Sequence, residues 1–244
     1  MEFSDVKLIL GLGNPGAAYS DTRHNVGFMA LTHFAVSIGL WTGNPKTFKS
    51  SFIVTGTLKG QKLVLGWPST YMNLSGHAAR ELISFYKIAP DNFLVVHDEM
   101  DLPCGKVKAS KGKGSAGHNG IDSIKEFVNF DYARLRIGIG RPLKDDWDQA
   151  ANVKDYVLSP FTEEEFPLIE DALSLSSSLI SLWALKGLEA AQRQGNRKEK
   201  KEKKEKAPEE GLASEKAAPE EGLASEKAPE EGLASEKAPE EGSS

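Results

Sequence analysis

Residues 7 to 16 read KLILGLGNPG, an apolar run that breaks on glycine, asparagine and proline. A short continuous apolar run closed by turn formers reads as a buried strand feeding a loop. A ligand loop at the carboxyl end of such a strand is the usual α/β arrangement. From Thr22 the apolar spacing turns helical, with Val26, Met29, Ala30, His33 and Phe34 on one face. Thr22 stands where an N-cap would, which predicts His24 in the first helical turn.

Further along, Ser51 to Thr57 and Gln61 to Trp67 form two strand patterns around Lys59 and Gly60, a hairpin and hence an antiparallel pair. Helical spacing returns in Ser75 to Tyr86. Phe93 to His97 is a short apolar strand with Asp98 at its carboxyl end, and Ala133 to Ile139 is another strand, with Arg134 and Arg136 on one face. A helix starts near Glu163, where Thr162 and Glu165 fit a capping box and Phe161 and Phe166 a hydrophobic staple. Its apolar face runs through Ile169, Leu173, Ile180, Trp183 and Leu188. Strands alternating with helices predict a single α/β domain, a mixed twisted sheet flanked by helices.

The chain has 244 residues, but from Arg193 onward it contains no aromatic residue. That stretch cannot bury enough apolar surface to offset its ordering entropy. The expected division is a folded domain at 1–192, a polybasic linker at 193–206 and a disordered acidic tail at 207–244. The tail repeats APEEGLASEK from Ala207, Ala218 and Ala228, with a cut-short copy at Ala238. Its period is too short, and proline and glycine too frequent, for a solenoid. The linker carries 8 Lys+Arg against 3 Glu and the tail 3 Lys against 11 Glu, so the whole-chain charge of −5 leaves −2 for residues 1–192. Bulk charge does not point to nucleic acid, and any RNA contact must come from a local basic patch. The single cysteine, Cys104, excludes an intrachain disulfide and reads as an incidental thiol. The acidic start and short apolar run of Met1 to Leu12 fit neither a signal peptide nor a membrane span, so cytoplasm is expected.

GLGNPG also fits G-x-G-x-x-G at Gly11, Gly13 and Gly16, which invites a dinucleotide-binding oxidoreductase. That reading needs the third glycine to open the helix that holds the pyrophosphate. Here Pro15 stiffens the loop, Thr22 lies six positions beyond Gly16, and no acidic residue stands where a ribose partner belongs.

The longer string GLGNPGAAYSDTRHNVGF, Gly11 to Phe28, resembles the N-terminal signature of bacterial-type peptidyl-tRNA hydrolases. TYMNLSG from Thr70, HDEMDLPCG from His97, GSAGHNG from Gly114, RLRIGIGRP from Arg134 and DYVLSPF from Asp155 follow in the family's order, so that the resemblance spans nearly all of residues 6–192. It implies hydrolysis of the ester joining a peptide to tRNA, by general-base activation of water. It also implies no metal or organic cofactor, tRNA (its acceptor stem and 3′ end) as partner, and a monomer.

Ester hydrolysis at neutral pH needs a base to take a proton from the attacking water, and His24 is the candidate. In a helix's first turn it would feel the positive dipole end, which disfavours imidazolium. By the resemblance, Asp98 is its carboxylate partner, orienting the ring and stabilising the charge that forms. Asparagines supply donors and acceptors without titrating. The resemblance gives Asn14 the blocked amino end of the substrate, Asn73 the carbonyl and water, and Asn119 the peptide, with His118 beside it. Tyr19 and Tyr71 match substrate-contacting positions and offer stacking faces. Lys106, Lys108, Lys111 and Lys113 are expected to make a basic loop before the GHNG turn. Lys108, Lys111 and Arg136 are the expected phosphate contacts, aided by backbone donors around Gly117 to Gly120. Ala116, where the family has a second glycine, leaves the loop's shape open.

Each residue also has a plainer reading. His24 alone would be a surface histidine near a helix end, and His33 belongs to the core. His77 belongs to the surface, and alternation turns His97 away from Asp98. Asn14 is by default a turn former and Asn73 a helix cap, while Asp101 is structural. The lysine run is a solvated surface, and the tail a dispensable appendage. A non-catalytic RNA-binding member of the family is the second function class, disfavoured because every catalytic position is kept.

Overall fold

The computed structural model describes residues 2–112, 114–142 and 150–195. Lys113, most of the polybasic segment and the whole repeat tail lie outside the described residues. The KLILG run forms β1 (Val6–Gly11), in which Leu8, Ile9 and Leu10 are fully buried. They are buried because β1 is central. It pairs in parallel with β4 (Gln61–Pro68) on one side and β5 (Phe93–Glu99) on the other. Beyond β4 lie β3 (Ser51–Leu58) and β2 (Lys46–Phe48), and beyond β5 lie β7 (Ala133–Gly138) and β6 (Val107–Lys111). The order is β2-β3-β4-β1-β5-β7-β6, with β2–β3, β3–β4 and β6–β7 antiparallel and the rest parallel. The expected hairpin is present: Leu58 pairs with Gln61, and Lys59 (φ 47°) and Gly60 (φ 88°) both take left-handed conformations, as a two-residue turn requires.

Alternation along the strands sends side chains into two cores. Ile9, Leu65, Val96 and Ile137 pack with α1 (Val26–Ser37) and α5 (Phe166–Lys186). Leu8, Leu10, Val64 and Val95 pack with α2 (Ser75–Tyr86) and α3 (Asn119–Phe127). A fourth helix in chain order, α4 (Ala150–Val157), precedes the long α5.

Several local expectations change. Helix α1 begins at Val26, because Arg23–Asn25 forms a 3-10 turn, so His24 sits just ahead of the helix. Thr22 makes no side-chain cap; its Oγ1 donates to the Tyr19 carbonyl instead. The lysine-rich segment is the edge strand β6 rather than a loop, since pairing with β7 satisfies its backbone. Only half of the capping box forms, with the Thr162 N–H donating to Glu165 Oε2 at 2.8 Å, and α5 starts at Phe166. It ends at Lys186 because Gly187 turns to φ 79°, and residues 188–195 form a further helical segment. The helical segment therefore runs past the expected domain edge at 192. His33 is only partly buried and meets Ser177 Oγ at 2.8 Å, joining α1 to α5. His77 is also partly buried, its ring 4.2 Å from that of Phe127.

Gly27 sets how close α1 comes to the sheet. A Cβ there would lie 2.4 Å from the Val96 carbonyl oxygen and 2.6 Å from that of Leu12. Both are backbone atoms that cannot swing aside. Gly27→Ala is therefore expected to lower the unfolding free energy by about 2 kcal/mol or more in urea denaturation, the cost of overpacking a fixed contact. A loss below ~0.5 kcal/mol would refute this close packing.

Candidate active site

Asp98 is the penultimate residue of β5 and is 2% exposed. A carboxylate buried that far must be paired. His24 Nδ1 lies 3.0 Å from both of its oxygens, and His118 Nε2 lies 2.8 Å from Oδ1. On its other side, His118 Nδ1 accepts the N–H groups of Gly120 at 3.0 Å and Ile121 at 3.4 Å. His118 thus caps α3, and its proton resides on Nε2, where it is donated to Asp98. His24 is 8% exposed and lines the cleft. With Nδ1 held by Asp98, Nε2 is the nitrogen left for a substrate.

Burial pulls the His24 pKa down, but the charge and hydrogen bond of Asp98 together outweigh it, and the net shift is upward. The expected lowering by a helix dipole is overridden. Burial pushes the Asp98 carboxyl up, yet the two imidazoles hold it well below the usual carboxylate range. His97 points to the other face of the sheet, as alternation requires, and its ring stands edge-on to His118 at 5.0 Å. Burial, with His118 next, holds its pKa well below that of a free imidazole.

The GLGNPG loop is braced by Asn25, a residue that sequence reasoning passed over. Its Oδ1 accepts the Asn14 N–H at 2.8 Å, and its Nδ2 donates to the Asn14 carbonyl at 2.9 Å. Asn14 Oδ1 accepts the Met72 N–H at 2.8 Å, so the two loops are joined. Asn14, Asn73 and Asn119 all line a cleft of about 780 Å³ with His24, Asp98 and His118. Tyr71, 59% exposed, stands at this cleft, and Tyr19 meets it edge-on at 6.3 Å between ring centres. Gly16 caps only a three-residue 3-10 turn (Ala17–Tyr19), and α1 starts ten positions later. No helix opens at the third glycine, which removes the pyrophosphate site of the dinucleotide reading.

The basic residues divide. Lys108 pairs across the ladder with Arg136, which pairs with His97, and Arg136 Nη1 reaches Glu99 Oε2 at 3.3 Å near the cleft. Lys111 lies at the other end of its strand, level with Ala133 and Leu94, and binds Asp91 at 2.8 Å. Four residues of strand, roughly 13 Å, separate it from the level of Asp98. Strand pairing thus sets Lys111 apart from the other site residues. Arg134 donates to the Gly114 carbonyl and holds the segment before GHNG.

Arg23 is a second residue that sequence reasoning missed. It is 5% exposed, binds Glu165 through Nη1 at 2.8 Å and Nη2 at 2.7 Å, and lies over the rings of Tyr156 (4.5 Å) and Phe161 (5.0 Å). It bolts the His24 turn to α4, whose Val153, Lys154 and Val157 form a wall of the cleft. Its partners lie more than 130 positions away, and no local pattern marks them. Near them Cys104 is partly buried, and burial pushes its thiol up to about 11, which leaves it unreactive.

His24, Asp98 and His118 place potential ligand atoms within 4.8 Å of one another. The hydrogen bonds account for that cluster. Both nitrogens of His118 are committed, and a metal at Nε2 would have to displace the proton donated to Asp98.

The family model for peptidyl-tRNA hydrolase matches residues 8–205. A peptidyl-tRNA hydrolase of Desulfitobacterium hafniense is 44% identical over 196 residues, covering 79% of this chain and 100% of that protein. One from Bdellovibrio bacteriovorus is 40% identical over 193 residues, 78% and 98% of the two chains. The crystal structure of peptidyl-tRNA hydrolase from Acinetobacter baumannii superposes with a TM-score of 0.72 at 33% identity, over 80% of this chain and 97% of that one. Motif order, sheet topology and these matches agree, and the chain belongs to the peptidyl-tRNA hydrolase family.

Proposed function

We propose that this chain hydrolyses the ester between a peptide and the 3′ end of tRNA, with His24 as general base. The observation that carries this reading is the buried His24–Asp98 pair at the cleft, which leaves Nε2 facing the substrate space. Water donates a proton to Nε2 as its oxygen attacks the ester carbonyl. The tetrahedral intermediate then expels the ribose oxygen, which takes the proton back from the imidazolium. Asp98 offsets the positive charge in between, and His118 positions Asp98. In this reading Asn14 takes the blocked amino end of the substrate, Asn119 the peptide, and Asn73 the carbonyl and the water; all three line the cleft. Tyr19 and Tyr71 offer faces to the terminal adenosine or a peptide side chain.

Lys108 and Arg136 supply the phosphate contacts for the acceptor stem. Lys111 is left out of this role, given its distance and its tie to Asp91. The protein acts as a cytoplasmic monomer, and residues past 205, beyond the family match, serve as an accessory extension.

Peptide release from an N-acylated aminoacyl-tRNA tests the assignment. His24→Ala is expected to lose at least ~10²-fold in kcat/KM, while a chain ending at Lys206 keeps its activity. A folded His24→Ala protein with undiminished turnover would sink the base assignment. Because the base must be unprotonated, activity should rise with pH through a midpoint above the free-imidazole value of 6.5. Asp98→Asn removes the interactions that raise this midpoint and leaves burial, so the midpoint should move below 6.5 as the plateau rate falls. An unmoved midpoint would mean that another group sets the acid limb.

A further inference from the structure

We infer that a second cavity, of about 250 Å³ on the other side of Asn14, is a subsite for an apolar, preferentially aromatic, side chain of the peptide. Its occupant belongs to the residue immediately upstream of the one esterified to tRNA. The cavity is lined by Phe28, Trp41, Phe52, Trp67, Pro45 and Pro68, and no charged side chain borders it among the described residues. Trp67 Nε1 already donates within the protein, to Thr32 Oγ1 at 3.2 Å and toward the Phe28 carbonyl at 3.4 Å. The ring's polar edge is thus satisfied, and what it adds to the cavity wall is apolar. Trp41 packs against it with ring centres 5.2 Å apart. Phe52, 39% exposed, is directly opposite Trp67 across the ladder.

The order of the strands decides which part of the substrate reaches this cavity, an argument that rests on the proposed site. Lys108 and Arg136 lie on β6 and β7, Asp98 on β5, Asn14 beyond β1, Trp67 on β4 and Phe52 on β3. Along one edge of the sheet, the polarity runs from basic, through the His24–Asp98 pair, to aromatic and uncharged. With phosphates at the basic end and the ester at His24, the peptide departs toward β4. Val96 and Trp67 belong to the same core, and alternation puts Asp98 on the face of Val96, so cavity and base share a face. Asn14 lines both spaces, so the two adjoin at that residue. Two strand spacings of about 4.8 Å separate β5 from β4. One extended residue of ~3.5 Å and the length of an aromatic side chain together cover that distance.

The test compares kcat/KM of the full chain on tRNA carrying N-acetyl-Phe-Gly with that on tRNA carrying N-acetyl-Gly-Gly, so that the esterified residue stays constant. Wild type is expected to favour the phenylalanine substrate by about tenfold, the scale on which apolar pockets discriminate. That ratio should collapse toward unity in Phe52→Ala and in Trp41→Ala, both partly exposed positions chosen in place of the buried Trp67. A wild-type ratio of about one, or a preference that survives both substitutions, overturns the subsite while leaving the base assignment intact. Turnover that does not depend on His24, measured with His24→Ala on the same substrates, overturns the base assignment and the subsite with it.

Discussion

A carboxylate at the end of β5, closed off from water and shared by two imidazoles, is the constraint on which the rest of the structure depends. Burying Asp98 alone would be costly, and burying it with one poorly oriented partner little better. His24 lies 74 positions before it in the chain and His118 20 positions after it. To satisfy one charge, the protein must bring the turn before α1 and the start of α3 to the same end of the same strand. His118 serves twice, since the nitrogen that does not face Asp98 caps the helix that carries it. The two imidazoles fix the carboxylate and the carboxylate fixes His24, whose second nitrogen remains for chemistry.

This arrangement is affordable because backbone approaches backbone closely around it. Gly27 lets α1 rest against the Leu12 and Val96 carbonyls, which puts the preceding 3-10 turn over the end of β5. Arg23, one residue before His24, is anchored between Glu165 and two aromatic rings, so the turn is clamped from outside as well. The same clamp holds α4 in place as a cleft wall. The position of His24 and the shape of the cleft are therefore coupled through one buried guanidinium.

Parallel pairing of β4, β1, β5 and β7 collects their carboxyl ends on one edge. Each contributes a different chemistry there: aromatic faces from β4, the Asn14 loop from β1, the carboxylate from β5, and Arg136 from β7. In the proposed binding mode, strand order becomes the order of contacts along an extended substrate. The edge strand β6 adds Lys108 at one end of the row, while Lys111 on the same strand is carried to the opposite end of the sheet.

Much of this was legible in the chain itself. The apolar run at residues 8–10, the Lys59–Gly60 turn and the helical spacing of Ser75 to Tyr86 are local signals, and each element formed where its pattern lay. The motifs around His24, Asp98 and Asn14 likewise named residues that meet in the cleft. Other features depend on contacts between distant segments. Nothing near Lys108 or Lys111 announces that β7 will pair with them and turn a basic segment into a strand. Nothing near Arg23 names Glu165, and nothing near Asn25 announces that it braces Asn14. The upward shift of the His24 pKa is of the same kind, since burial and Asp98 act oppositely and only their geometry decides the balance. Local patterns of apolar and turn-forming residues determine which elements exist, because they act over a few bonds. Which side chains share a cleft, and how they perturb one another, is decided by long-range packing, where distances of a few ångströms set the energies.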